Sequence, residues 1–190
     1  MKLRTIWIVA LCACSVASLA QVRIVSLNGA WTLREENGPL MVPAVVPGTV
    51  HTDLMVAGIV PDPFVGRNVD SVQWVEGRDW SYERIFEVDG AMLSQQHIDL
   101  VLHGVDTFGE VYVNGERIGT TDNMFRTWVF PLRDRLREGA NRLTISLRSP
   151  IAKGRALRDA YGIQLPADNE VGAVKVSPYM RKAAYQFGWD

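Results

Sequence analysis

Cysteine is scarce in this sequence, and the little present is badly placed for structural use. Cys12 and Cys14 both lie within the first twenty residues. From Gln21 onward there is none, which excludes a disulfide-stapled scaffold, a thiol enzyme and a cysteine zinc site for the main body. The apolar run from Ile6 to Ala13 is too short for a stable bilayer-spanning helix, which needs about 20 apolar residues. Lys2 and Arg4 precede it and the small residues ending Ser18-Leu19-Ala20 follow it. That is the three-part layout of a secretory signal peptide. Residues 1–20 are therefore expected to be a signal peptide, with 21–190 forming one domain that is secreted or periplasmic. The string LCAC also fits a lipoprotein signal, with Cys14 as the lipidated residue. An excess of positive charge is missing as well. The chain carries 20 basic and 21 acidic residues, and without Lys2 and Arg4 the balance is 18 against 21. No nucleic-acid partner is expected from such a chain.

Several kinds of catalytic signal are absent too. There is no G-x-S-x-G, and the three histidines, His51, His97 and His103, are scattered. There is no H-E-x-x-H and no Cys/His cluster, so no metal site is expected. The oxygen-rich strings TDN (121–123) and DNE (168–170) read as loop polarity, with a calcium site as the lesser reading. Glycoside hydrolysis with retention wants two carboxyl groups about 5–5.5 Å apart. Glu35 and Glu36 are sequence neighbours in a polar turn, and Glu110 and Glu116 fall on opposite faces of a predicted hairpin. No pair qualifies as acid and nucleophile. Arg117 is the expected diagonal partner of Glu110, a plain structural pair.

What the chain does have is alternation. Trp31 and Leu33 share one face of a strand; Trp80, Tyr82, Arg84, Phe86 and Val88 line another. In HIDLVLHGV, Ile98, Leu100 and Leu102 face one way and His97, Asp99, Val101 and His103 the other. Asn114-Gly115 predicts a type I′ hairpin pairing Val113 with Glu116, Tyr112 with Arg117 and Val111 with Ile118. MFRTWVFPL and NRLTISL add two strands separated by REGA. One short helix is predicted after Thr49, with Val50, Leu54 and Ala57 at helical spacing, ended by Pro61 and Pro63. Strands without a βαβ rhythm predict an all-β fold, a jelly-roll β-sandwich with one short helix. After Pro150 the alternation stops, and a long irregular excursion is expected.

Aromatics are the remaining signal. Trp31, Trp80 and Trp128 fit strand cores, and Trp74 lies in an irregular stretch. Trp189 differs because Asp190 is next to it and the strand pattern has ended. Sugar C–H faces stack on flat rings, and vicinal hydroxyls suit a carboxylate's two acceptor oxygens.

A series of motifs now becomes meaningful together. SLNGAWTL, VPGTVHTDL, DPFVGRNVDSVQW, DWSYERIF, HGVDTFGEVYVNGERIGTTDNMFRTWVFPL, LREGANRLTISLRSP and RKAAYQFGWD follow one another from Val25 to Asp190. In order and wording they resemble the N-terminal domain of β-mannosidases, within the glycoside hydrolase family that also holds β-galactosidases and β-glucuronidases. RKAAYQFGWD favours the mannosidase branch. The resemblance implies a jelly-roll, galactose-binding-like domain ahead of immunoglobulin-like domains and a (β/α)₈ barrel. That barrel carries both catalytic glutamates, so no catalytic residue and no cofactor are expected in this chain. It implies that Trp189 and Asp190 reach the barrel's active-site mouth and help hold a terminal β-mannoside. The family motif runs on as FGWDWGP, which implies that this sequence is a fragment. The family usually has an acidic residue after the Asn of RNV; Val69 stands there. A stand-alone carbohydrate-binding module, or the same domain from a β-glucuronidase or β-galactosidase, remains the alternative.

Overall fold

A computed structural model describes residues 22–168, 170, 174–183 and 186. The expected signal peptide, Asn169 and the Trp189–Asp190 pair lie outside the described residues. Eight strands occur among the described residues: β1 (Gly29–Glu35), β2 (Met41–Val46), β3 (Trp80–Val88), β4 (Asp99–His103), β5 (Gly109–Val113), β6 (Glu116–Thr121), β7 (Thr127–Pro131) and β8 (Gly139–Leu147). Six of them form one antiparallel sheet in the order β2-β1-β3-β8-β5-β6. The long β3–β8 pairing, from Trp80↔Leu147 to Val88↔Gly139, is its spine.

The second layer is not a second full sheet. Strands β4 and β7 form a two-stranded ribbon. Helix α1 (Val50–Val56) joins it over the same core, burying Leu54 beside Trp31, Leu33, Leu100, Val111, Val113 and Leu143. The alternating strands place these residues inward because successive side chains point to opposite faces. Ile98 and Leu100 are buried, while Asp99, Val101 and His103 face solvent, as their spacing predicts.

Helix α1 is held at both ends. Thr49 and Thr52 form a reciprocal capping box, each hydroxyl accepting from the other's backbone N–H at 3.2 and 3.0 Å. The helix stops at Ala57 and Gly58, before the prolines that were expected to end it; Gly58 takes a left-handed φ of 70°. The buried Asp53 carboxylate ties α1 to the main sheet. It accepts from the Val45 N–H at 3.1 Å and from the Tyr82 hydroxyl at 2.7 Å. Burial and this carboxylate together push the Tyr82 phenol well above its ordinary value.

The hairpin forms as predicted at its tip and departs from prediction one residue further in. Asn114 and Gly115 both have positive φ, 52° and 86°, and Tyr112↔Arg117 and Val113↔Glu116 pair. A bulge between Val111 and Tyr112 then moves Val111 opposite Gly119 instead of Ile118. Gly119 gives way to the Phe130 ring of β7: a β-carbon there would sit 2.2 Å from it. The bulge thus lets the ribbon close onto the main sheet.

The expectation of one helix is corrected to four α-helices among the described residues. Besides α1 there are α2 (Asn68–Val72), α3 (Gly90–Leu93) and α4 (Pro150–Tyr161). The segment after Pro150, expected to be irregular, begins with α4. Ser149 caps it through the Ala152 N–H at 3.1 Å, Pro150 fits the first turn, and Gly162 closes it at φ 74°. An amphipathic stripe does not announce this helix, because it packs through a glycine. Gly154 is the buried position, and a β-carbon there would meet the Val176 β-carbon at 2.7 Å.

Candidate functional site

Strand polarity gathers several connections at one end of the sandwich. The starts of β3 and β5 and the ends of β1, β6 and β8 meet there, through the pairs Glu35↔Trp80, Trp80↔Leu147, Gly109↔Leu147 and Gly109↔Thr121. The β4–β5 loop (104–108) and the β6–β7 loop (122–126) open at this end, since His103 pairs with Thr127.

The C-terminal segment crosses this end. It first runs beside α4. The Val174 carbonyl accepts from Arg158 at 2.7 Å, and Val176 packs on Gly154. The buried Glu170 carboxylate accepts from the Val176 and Ser177 N–H groups at 2.7 and 2.9 Å. The Tyr179 hydroxyl donates to the Ile163 carbonyl at 2.6 Å and accepts from the Leu165 N–H at 2.8 Å. The chain then bridges to the β6–β7 loop: Asn123 pairs with Arg181, and the Arg181 carbonyl accepts from the Met124 N–H at 3.0 Å. Lys182 forms an ion pair with Asp106 of the β4–β5 loop. The Ala183 N–H donates to the Met124 sulfur at 2.9 Å. Segment 174–183 is therefore docked, step by step, on the sandwich end.

His51 and Glu76 stand near Lys182. Burial holds the His51 imidazole below its ordinary value, and the Lys182 charge adds to this. Burial also pushes the Glu76 carboxyl up, helped by Glu170 and opposed by Lys182. At the same end of the sandwich Arg148 joins the ends of three strands. It pairs with Glu36, with Asp79 at 3.2 Å and with Glu110 at 2.5 Å. Arg148 is thus the direct partner of Glu110 and is the main group holding that carboxyl below its ordinary value, with the expected Arg117 charge adding a smaller pull from further away. Asp79 also accepts from the Ser149 N–H at 2.7 Å, which fixes the start of α4 to the same network. One cation shared by the three carboxylates of Glu36, Asp79 and Glu110 is a structural knot that ties the strand ends together.

The other candidates of the sequence resolve in the same way. Thr121 accepts from the Gly109 N–H and donates to the Thr107 carbonyl, while Asn123 accepts from the Phe125 N–H. No group of three or more His, Cys, Asp or Glu suited to a metal occurs among the described residues. Among them, too, no helix is long and apolar enough to cross a membrane. His97 and His103 are exposed on the ribbon side, and His103 shares a 3.1 Å hydrogen bond with Thr127. Trp31 and Trp80 are core residues. Trp74 is tilted on Trp80 at 6.0 Å, and Trp128 lies under the Arg126 guanidinium at 4.5 Å. An open depression of about 660 Å³ lies on the outer face of the six-stranded sheet, lined by Glu83, Tyr112, Arg142 and Thr144. It reaches toward the Asn114–Gly115 turn, away from the docked segment. Asp106, Lys182 and Arg148 escaped the sequence reading, since each acts through a partner distant along the chain, whereas Glu170, read with DNE as loop polarity, instead holds the backbone amides of Val176 and Ser177.

A mostly β domain with an antiparallel sandwich core and a docked C-terminal segment defines the class: a galactose-binding-like module. The family model described as glycosyl hydrolase 2 galactose-binding domain-like matches residues 31–190, and the chain belongs to that family. The resemblance read from the motifs is borne out. Beta-mannosidase from Bos taurus is 33% identical over all of this chain, which spans 22% of that relative. The solved beta-D-mannosidase of Dictyoglomus thermophilum is 41% identical with a TM-score of 0.84, over 89% of this chain and 20% of that one. The exo-chitosanase of Amycolatopsis orientalis, 20% identical with a TM-score of 0.55, shares the fold. The chain thus spans about a fifth of the length of the β-mannosidases it matches.

Proposed function

We propose that this chain is the N-terminal domain of an exo-acting β-mannosidase that removes terminal, non-reducing β-D-mannose with retention. Residues 21–190 form the domain. Trp189 and Asp190 belong to the site that grips the terminal sugar. Asp190 accepts hydrogen bonds from sugar hydroxyls, and Trp189 supplies an apolar wall. The two carboxylates of the retaining mechanism lie on a barrel beyond these residues. The observation that supports this reading is the docking of segment 174–183 against one end of the sandwich, a few residues before Trp189 in the sequence. The likeness to beta-mannosidases over most of the chain supports the choice of sugar. Residues 1–20 act as a signal peptide, for a secreted or periplasmic protein.

The test is to express the complete reading frame containing these residues and assay aryl β-mannoside, β-glucuronide and β-galactoside side by side. Turnover of the mannoside, with KM raised in Trp189→Ala and Asp190→Ala, supports the proposal. Preference for another glycoside removes the mannosidase assignment. Residues 21–190 alone are expected to be inactive, and mass spectrometry of the exported protein shows whether its first residue is Gln21 or a lipidated Cys14.

A further inference from the structure

The loop between α1 and α2 spends order on an apolar residue that touches water. Phe64 is 95% exposed, and Val65 and Val69 beside it are 59% and 49% exposed. An isolated exposed apolar side chain is ordinary, but a cluster on one projecting loop marks an interaction site. This loop is also built to hold its shape. Pro61 and Pro63 fix two φ angles. The Asp62 carboxylate accepts from the Phe64 N–H at 2.9 Å, and the Asp62 carbonyl accepts from the Val65 N–H at 3.2 Å and the Asn68 side-chain amide at 2.9 Å. The Val65 carbonyl accepts from the Asn68 N–H at 3.1 Å. Arg67 and Asp70 pair at 3.1 Å on its flank. The result is a preorganised aromatic tip with polar and charged residues around it. Interfaces repeat this arrangement, an apolar anchor inside a polar rim, because the anchor loses little conformational entropy when it is covered.

We infer that the Asp62–Asn68 loop is a docking knob, with Phe64 as its anchor, for a further domain of the same polypeptide. The inference rests on the reading of this chain as part of a longer glycosidase. Matched β-mannosidases are about five times longer than this chain, which aligns along its whole length with 22% of one of them. The additional polypeptide is the occupant that is always present at high effective concentration, so a fixed aromatic tip can be kept covered.

Hydroxyl-radical footprinting of the complete polypeptide tests this, because phenylalanine is labelled only where water reaches it. In the native protein Phe64 should be labelled several-fold more slowly than in the denatured protein. Labelling at the rate of the denatured protein overturns the inference. A second measurement uses Phe64→Asp in the complete polypeptide. It should lower the thermal unfolding midpoint by several degrees or split one transition into two, and an unchanged melting curve also overturns the inference. Neither readout depends on activity. Protection of Phe64 in a protein that does not cleave β-mannosides keeps the docking knob and removes the mannosidase reading. Full labelling in a protein that does cleave them does the reverse.

Discussion

Lys182 forms an ion pair with Asp106, joining the C-terminal segment to the β4–β5 loop across 76 positions of sequence. Their side chains are mostly shielded from water, and no other charged pair among the described residues links this segment to the sandwich. Lys182 is followed at once by the Ala183 N–H bond to the Met124 sulfur, so the pair and the Asn123–Arg181 bridge act on consecutive residues. Removing one partner of a shielded pair leaves the other unsatisfied, at a cost of about 1–3 kcal/mol. Lys182→Met and Asp106→Asn should each lower denaturant stability by that order. Both should also speed tryptic cleavage after Arg181, because the bond is freed from the sandwich end. A cleavage rate unchanged in Asp106→Asn would show that the backbone bridge alone holds the segment.

Asp53 supports a second prediction. Its carboxylate serves the Val45 N–H and the Tyr82 hydroxyl from inside the core. Tyr82→Phe removes one hydrogen bond to a charged group, worth about 1.5–3 kcal/mol. Asp53→Ala should cost more, since it strands both the Val45 donor and the Tyr82 hydroxyl. Equilibrium urea unfolding of the two variants checks the order, and equal losses would count against a shared role for the carboxylate.

Gly154 offers a contrary case to helix propensity. Alanine is favoured over glycine inside a helix by about 1 kcal/mol. Here a β-carbon would sit 2.7 Å from the β-carbon of the fully buried Val176. Overpacking of this kind costs about 1–3 kcal/mol, so Gly154→Ala should destabilise the protein. The double variant Gly154→Ala, Val176→Ala should recover part of the loss. Thermal melts of the two would expose a stabilising Gly154→Ala if the contact relaxes freely.

His51 sets a pH dependence. Burial, and then the Lys182 charge, hold its folded value below the ordinary 6.5. The unfolded chain therefore binds more protons than the folded one in the window below 6.5. His51's contribution is fully present above 6.5 and is lost as pH falls through its lowered folded value. In His51→Gln the decline of stability over that window should flatten. Parallel pH profiles for the two proteins would refute the assignment.

The readable parts of the sequence were those in which neighbouring residues settle the matter. Thr49 caps the helix that follows it, Asn114-Gly115 turns a hairpin, and Ile98, Leu100 and Leu102 alternate with exposed partners. Helix α4 was missed although Ser149, Pro150 and Gly162 punctuate it in the usual way. Its buried contact is made by a glycine and so leaves no apolar stripe to count. The bulge at Val111 was invisible because its cause, the Phe130 ring over Gly119, comes from another strand.

Sequence alone determined the strand faces, the hairpin tip, the first cap and the family motifs, because propensity, periodicity and turn chemistry act over a few residues. Only the tertiary structure decided that Lys182 meets Asp106, that Arg148 gathers Glu36, Asp79 and Glu110, and that Glu170 holds the amides of Val176 and Ser177. Opposite charges attract wherever the fold places them. The choice among 20 basic and 21 acidic residues is made by strand order and loop polarity, which no local pattern encodes.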